Sequence, residues 1–388
     1  MVGTLSSSAD AILMEKARLT AVSFGDLPGF HADNHSESWK VFRSSCAAIV
    51  SGQPELRQGR APSNHHFVLA RESVQAPEAL DADDARTFYE KKFIPHLIEP
   101  LGSAEGTPSE PAFFTAYYRP EVPASLIRTS AFREPILARP TDLVTLPSFG
   151  DPSLPAGLTS ARRTADDGFA PYPTRAEIDR GALGSSSKPI AFVEDAIEAF
   201  MIQVQGSARL RLQDGRAIDL TYAGRNGHPY ASIGKMLLAD NEIEPSEMSL
   251  DRLKNWVRRN GQELGNRGRN LLHRNPSFVF FSASTADETG PGPIGASGLP
   301  LTPLRSIAVD RHIWSYGLPF WIEAKLPGRN GVDFALDRTM VAQDTGSAII
   351  GPARADLYFG SGTIAGQLAG GIRRAGRMFV FLPREDDA

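Results

Sequence analysis

Cysteine is almost absent. Cys46 is the only one in 388 residues, which excludes an intrachain disulfide and a thiolate metal site within one chain. Long apolar runs are missing as well, so no segment supplies the roughly 20 apolar residues of a membrane-spanning helix. There is no polybasic tract, and the formal charge is only −4, so no nucleic-acid partner is expected. No phosphate-binding or dinucleotide-binding glycine fingerprint occurs, which leaves no cofactor to expect. The eight histidines show no ligand spacing: His65 and His66 are adjacent, while His228, His273 and His312 are isolated, so no metal is expected. The N-terminal stretch MVGTLSSSADAILMEKARLT lacks a basic start, an apolar core and a small-residue cleavage site. Two readings stay open: a chain that remains inside the cell, or an export signal that this sequence does not carry.

What is present is a globular composition, 41% apolar and 22% charged, long enough for two domains. The 35 Gly and 29 Pro favour many short strands and irregular loops. Residues to about 30 read as a weakly ordered lead-in. Helices are expected around Ser36–Ser51, with Cys46 a buried thiol, and around Ala85–Leu97, with Phe88, Tyr89, Phe93 and Leu97 on one side. The aromatic strand PAFFTAYYRP follows. From Asp142 to Ser187, long loops carry the segment YPTRAEI. EDAIEAFMIQ reads as a helix, and ARLRLQ-DG-RAIDLTYAG as a hairpin turning at Asp214–Gly215. Ser249 is placed to cap a helix that stops at Gly261. SFVFF reads as a strand and SASTADETGPGPIGASG as a long, flexible loop. The remainder is strand-dominated: SIAVD, PFWIEAKL, TMVAQD, ADLYFG and MFVFLP.

The run MVAQDTGSAIIGPARADLYFGSG, from Met340 to Gly362, carries the chemistry. It sets Asp344 and Asp356 on either side of a Gly/Pro turn, and Asp310 ends the earlier run SIAVD. A carboxylate at a buried strand is partly desolvated, which favours its protonated form. A carboxylic acid kept protonated near neutral pH suits acid-catalysed cleavage of a glycosidic bond. Sugar grooves combine aromatic faces with amide and hydroxyl groups. Thr115, Tyr117 and Tyr118 fit that description, and strand alternation sends Thr115 and Tyr117 to one face; either tyrosine equally fits a core position. Gln205, Gly206 and Ser207 form a small polar bend suited to an acetamido group, or a tight turn with no ligand. Asn226, Gly227 and Tyr230 read as loop-shaping. Arg373, Arg374 and Arg377 read as a solvated basic edge, or as a meeting place for anionic groups of a substrate.

FFTAYYRPEVPAS (113–125), YPTRAEI (172–178), FMIQVQGSARLRLQDG (200–215) with YAGRNGHPYASIGK (222–235), NPSFVFF (275–281), LTPLRSIAVDRHIWSYGLP (301–319) and the Met340–Gly362 run occur in this order. Together they resemble the MltA family of lytic murein transglycosylases, over about Phe30 to Pro383. The last two resemble its 3D domain, whose three aspartates match Asp310, Asp344 and Asp356. The resemblance implies a mainly β fold with few short helices: a double-psi β-barrel from 31–120 and 276–388, an inserted β-rich domain over 121–275, a lead-in over 1–30, and a groove at the junction. It further implies cleavage of the β-1,4 bond between N-acetylmuramic acid and N-acetylglucosamine in peptidoglycan, leaving a 1,6-anhydro-muramyl end. Asp356 matches the catalytic aspartate. The implied setting is the periplasm or outer membrane, with glycan strands as substrate, a monomeric chain, and cell-wall synthesis or division complexes as further partners. Ala116 and Ser347 stand where the family has glycine more often; neither change removes a catalytic group.

Lytic cleavage needs only one carboxyl group, which protonates the leaving O4 and then takes the proton of the attacking C6 hydroxyl. That nucleophile belongs to the same sugar, so attack is intramolecular. Asp356 is the expected acid and base. Asp344 either supports it, by like-charge proximity or by orienting it through a water, or caps the Gly346 turn, and Asp310 is expected to be structural. Two other readings remain: an inverting endoglycosidase using Asp356 and Asp344, and a non-catalytic glycan-binding module.

Overall fold

The computed structural model describes residues 11–14, 16–101, 111–146, 159–166, 168–285, 292–328 and 332–384. The first ten residues of the expected lead-in, 147–158 and 167 of the Pro/Ser/Gly-rich stretch, and 286–291 of the expected flexible loop lie outside these. The chain divides into two compact units. The first comprises 1–117, 294–360 and 372–388, and the second 118–293 and 361–371.

The first unit is built on a closed barrel of six strands. Strand Arg373–Pro383 pairs with Pro319–Pro327, and the order continues through Asp333–Asp344, Ser306–Val309 and Arg354–Ser361 to Ala112–Arg119, which returns to the first strand. Closure removes the unpaired edges an open sheet would present. Strand Arg373–Pro383 divides one edge between two partners: Arg373 to Gly376 pair with Thr115 to Ala112, and Phe379 to Pro383 pair with Leu97 to Phe93. Strands Ala11–Leu13 and Ala17–Ala21 extend the sheet beyond Phe93–Pro100.

The period-2 alternation of the apolar strands sends side chains to two cores. Phe114, Ile307, Val309, Phe320, Ile322, Met340, Leu357 and Val380 share one cluster. Their neighbours Trp321, Val341, Phe379 and Phe381 join Trp39, Phe42, Cys46 and Tyr89 of the covering helices in another. Each such large side chain contributes roughly 1.5–3 kcal/mol on burial. Burial pushes the Cys46 thiol up to about 12, so it remains a packing group. Arg305, 2% exposed, ties the helix His35–Ser51 to the barrel: its Nη1 and Nη2 donate to Asp33 at 2.8 Å each, and its Nε to Glu37 at 3.0 Å.

The helix expected over 85–97 is shorter at its C-terminal end. It spans Ala82–Lys92, and Phe93–Pro100 is a strand. Phe93 and Leu97 fit a helical face, but four residues also satisfy strand alternation, and pairing with two neighbouring strands decides the outcome. A helix over Asn64–Gln75, capped by the Ser63 hydroxyl, was not expected from the sequence.

The second unit carries a four-stranded sheet in the order Val279–Thr285, Ala217–Arg225, Ser207–Leu212, Glu121–Ala124. The expected Asp214–Gly215 hairpin joins its two central strands. Ser249 caps the helix Leu250–Arg259, and YPTRAEI forms a capping box at Thr174 and Glu177 that opens the helix Arg175–Asp179. Among the described residues no helix is long and apolar enough to cross a membrane.

Candidate active site

Strand register brings the two aspartates of the Met340–Gly362 run together. Ala308 pairs with Asp356 across one edge of its strand and with Asp344 across the other. Residues in register share a face, so both carboxylates project from the same side, two strand spacings or roughly 10 Å apart at Cα. A bulge makes this possible. Between Ile307 and Ala308 the partner strand advances from Ala342 to Asp344, so Gln343 is the extra residue and Asp344 is re-aimed onto the Ala308 face. The Gln343 side chain instead accepts from Ser306 and donates to Ser45.

Thr115 and Tyr117 sit on one face of strand Ala112–Arg119, as alternation requires, and each reaches one aspartate. The Thr115 hydroxyl donates to Asp356 Oδ1, and the Tyr117 hydroxyl donates to Asp344 Oδ2 at 2.8 Å. The Tyr117 and Tyr358 rings lie 5.3 Å apart between centroids, tilted by 49°, and with Ala308, Leu301 and Ile349 they form a small apolar cluster.

The two carboxylates, both half-buried, differ in how fully they are bonded. Asp344 accepts the Tyr117 hydroxyl on Oδ2 and, on Oδ1, the N–H groups of Ala296 at 2.9 Å and Thr345 at 2.8 Å. The Ala296 donor comes from a tight loop whose Gly295 has no room for a side chain: a Cβ there would lie 2.8 Å from the Gln343 carbonyl oxygen. Burial raises the Asp344 pKa, while the Thr345, Tyr117 and Ala296 donors and the charge of Arg57 pull it back. Asp356 is bonded by the Thr115 hydroxyl. Burial pushes its carboxyl up to about 6, with Asp344 adding to the rise and the Thr115 hydroxyl and Arg354 opposing it. Tyr117, held well above the ordinary tyrosine range by burial and Asp344, stays a neutral donor.

Arg354 was not singled out from the sequence. Its Nη2 donates to Thr115 Oγ1 at 2.7 Å, filling a lone pair there and leaving the single Thr115 hydroxyl hydrogen for Asp356. The available signal was its spacing, two residues before Asp356 on a strand and therefore on the same face. Asp310 is engaged otherwise: Oδ1 accepts the His312 N–H at 3.0 Å and Oδ2 the Gly351 N–H at 2.8 Å, which ties the turn after SIAV to the loop before the Asp356 strand.

The other sequence candidates belong to the second unit. Tyr118 is buried, and its backbone N–H donates to Gln205 Oε1 at 3.1 Å. Gly206 ends the helix Ala196–Gln205 in left-handed backbone, φ 76°, and Ser207 opens the next strand with its side chain buried. Asn226 is wholly buried, donating to the Pro173 and Pro276 carbonyls and accepting the Phe278 N–H, which makes it a loop clamp.

Two family descriptions match the chain, an MltA specific insert domain over residues 113–282 and a 3D domain over 305–382. Among curated proteins, it is 37% identical to membrane-bound lytic murein transglycosylase A of Vibrio cholerae over 53% of this chain and 55% of that protein. It is 34% identical to the Escherichia coli K12 protein of the same name over 69% of this chain and 64% of that one. The matches therefore span between about half and two thirds of these relatives. Among solved structures, a membrane-bound lytic murein transglycosylase from Agrobacterium tumefaciens superposes with a TM-score of 0.79 at 32% identity, covering 94% of this chain and 98% of that one. MltA from Neisseria gonorrhoeae gives 0.76 at 28% identity, covering 98% and 97%. E. coli MltA with bound chitohexaose gives 0.62 at 27% identity, covering 96% and 93%. With a closed six-stranded barrel, an aspartate pair on one face of it, and this match along nearly the whole of a solved relative, the chain belongs to the MltA family of membrane-bound lytic murein transglycosylases.

Proposed function

We propose that this protein is a peptidoglycan lytic transglycosylase in which Asp356 acts first as acid and then as base. The reaction cleaves the β-1,4 bond from N-acetylmuramic acid to N-acetylglucosamine. Asp356 donates its proton to the departing O4, the muramyl C6 oxygen bonds to C1, and the C6 hydroxyl proton returns to Asp356. The acid is thereby regenerated, and a 1,6-anhydro end remains. The observation that carries this reading is the contrast between the carboxylates. Asp356 has a pKa near 6, suited to giving and taking a proton near neutrality, whereas Asp344 is committed to three donors.

The same contrast weighs against an inverting hydrolase. That mechanism requires a second carboxylate free to activate a water, with the carboxyl groups roughly 6.5–9.5 Å apart. Asp344 spends both oxygens on protein donors and serves as the anchor of Tyr117 and of the Ala296 loop. Thr115 and Arg354 position Asp356. Tyr117, Tyr118, Gln205, Gly206 and Ser207 stay assigned to glycan contact, and Asp310 to structure. The bound chitohexaose of the E. coli relative supports a β-1,4-linked glycan strand as the ligand. The membrane-bound names of the relatives support a place in the cell envelope, and the periplasmic side or the outer membrane is the setting we assign within it. Mass spectrometry of muropeptides released from purified peptidoglycan tests the reading. Anhydro-muropeptides from the parent and none from Asp356→Asn are expected. Reducing muramyl ends would establish a hydrolase, and glycan binding without products a binding module.

A further inference from the structure

The second unit contains a cavity of about 350 Å³ that the reaction above does not use. Its wall includes Arg175, Gln203, Phe200 and Phe278, all buried, while Arg128 lies exposed at the rim. Arg175 is 5% exposed, and its guanidinium is held 4.6 and 5.1 Å from the ring centroids of Phe200 and Phe278. Its Nε donates to the Asn275 carbonyl at 3.2 Å, and its Nη2 to Gln203 Oε1 at 2.7 Å and the Ser277 carbonyl at 2.6 Å. The two Nη1 hydrogens have no acceptor among the described residues.

The charges around the cavity are unevenly matched. Glu263 is answered by Arg133 at 3.2 Å, Glu134 by Arg269 at 3.0 Å, and Asp179 by Arg269 at 2.9 Å and His273 at 2.8 Å. Among the described residues neither Arg175 nor Arg128 has a carboxylate at ion-pair distance; Asp179 acts on Arg175 only from farther away. The buried Arg305 of the first unit shows the usual arrangement, two acidic partners around one desolvated guanidinium. A buried charge lacking such a partner is costly, and burial accordingly draws the Arg175 pKa down to about 10. An anion that enters the cavity would supply the missing countercharge.

We propose that this cavity is a carboxylate-binding site that takes the free C-terminal carboxylate of a peptide, with Arg175 at its base and Arg128 at its mouth. The two free Nη1 hydrogens of Arg175 can each donate a charge-assisted hydrogen bond to a carboxylate oxygen, and the apolar walls from Ile178, Leu272, Phe200 and Phe278 accommodate a small side chain, which a bare inorganic anion lacks. The stem peptides on peptidoglycan end in such carboxylates. That choice of source rests on the function proposed above, whereas the carboxylate chemistry does not.

Isothermal titration of the full chain with N-acetyl-D-alanine and with its amide tests the site. The acid is expected to bind about tenfold more tightly than the amide. Arg128→Glu, a surface change that leaves the core intact, is expected to weaken the acid several-fold, and Arg175→Lys about tenfold with an unchanged circular dichroism spectrum. Equal binding of acid and amide, no binding of either, or a preference indifferent to both substitutions would overturn the proposal. A stem-bearing muropeptide that displaces N-acetyl-D-alanine, while its amidated form does not, identifies the stem as the source. Failure of both muropeptides to compete would remove the stem. Arg175-dependent binding by a chain that releases no anhydro-muropeptides would leave the pocket standing and overturn the transglycosylase.

Discussion

Asp344 and Asp356 flank the same alanine on the same face of one barrel, yet their surroundings give them opposite work. Asp344 accepts three hydrogen bonds from two backbone N–H groups and a tyrosine hydroxyl. Asp356 has the Thr115 hydroxyl, itself oriented by Arg354. Burial raises both carboxyl groups, and the supply of donors decides how much of that rise survives. A carboxylate well supplied with donors holds structure. One left short of donors holds a proton.

The largest test of that contrast is to neutralise each carboxylate in turn. Asp356→Asn is expected to lower glycan cleavage by about 10³-fold, within the range for loss of a general acid–base group. Asp344→Asn is expected to retain anhydro products; abolished cleavage there, with the fold intact, would reverse the comparison. Thr115→Val removes a donor that lowers the Asp356 pKa. Activity is expected to fall about tenfold, and the alkaline limb of the pH–rate profile to move to higher pH, because the acid form persists further.

A stability difference follows from the same shift. The Asp356 pKa rises from 3.8 to about 6 on folding, so the folded state binds the proton more tightly than the unfolded one. The resulting cost is absent below the unfolded value, grows as pH rises between the two values, and is complete above the folded one. Full burial would make it about 3 kcal/mol; partial exposure reduces it to roughly 1–2 kcal/mol. Asp356→Asn is therefore expected to be more stable than the parent at pH 7.5 by that amount, with the gap closing below pH about 4, measured by urea unfolding. Tyr117→Phe takes one donor from Asp344 and is expected to cost about 1 kcal/mol in the same measurement. The smallest effect is expected for Arg354→Lys, which keeps the charge and loses the fork, shifting the alkaline limb only slightly upward.

Much of this was legible in the sequence because it depends on local pattern. Alternation in FFTAYYRP places Thr115 and Tyr117 on one face, the Asp214–Gly215 turn marks the hairpin, and Ser249 marks a helix start. The pairing of Asp344 with Asp356 is less accessible. Counting alternation along MVAQD gives the face of each residue only if the ladder is regular, and the bulge at Gln343 breaks it. The strand over Phe93–Pro100 was obscured because Phe93 and Leu97 satisfy two periodicities at once. Arg354 carried a usable spacing signal, but its role depends on a threonine 239 residues away in the chain, which no local pattern reveals.

The most direct test of the assignment of Asp356 as proton carrier is a pH titration of the aspartate side-chain carboxyl carbons by ¹³C NMR, with Asp356→Asn and Asp344→Asn used to assign the two resonances. A midpoint near 6 for Asp356, moving lower when Asp344 is neutralised, is the expected result. Asp356 ionised throughout above pH 4, with Asp344 carrying the titration near 6, would contradict it.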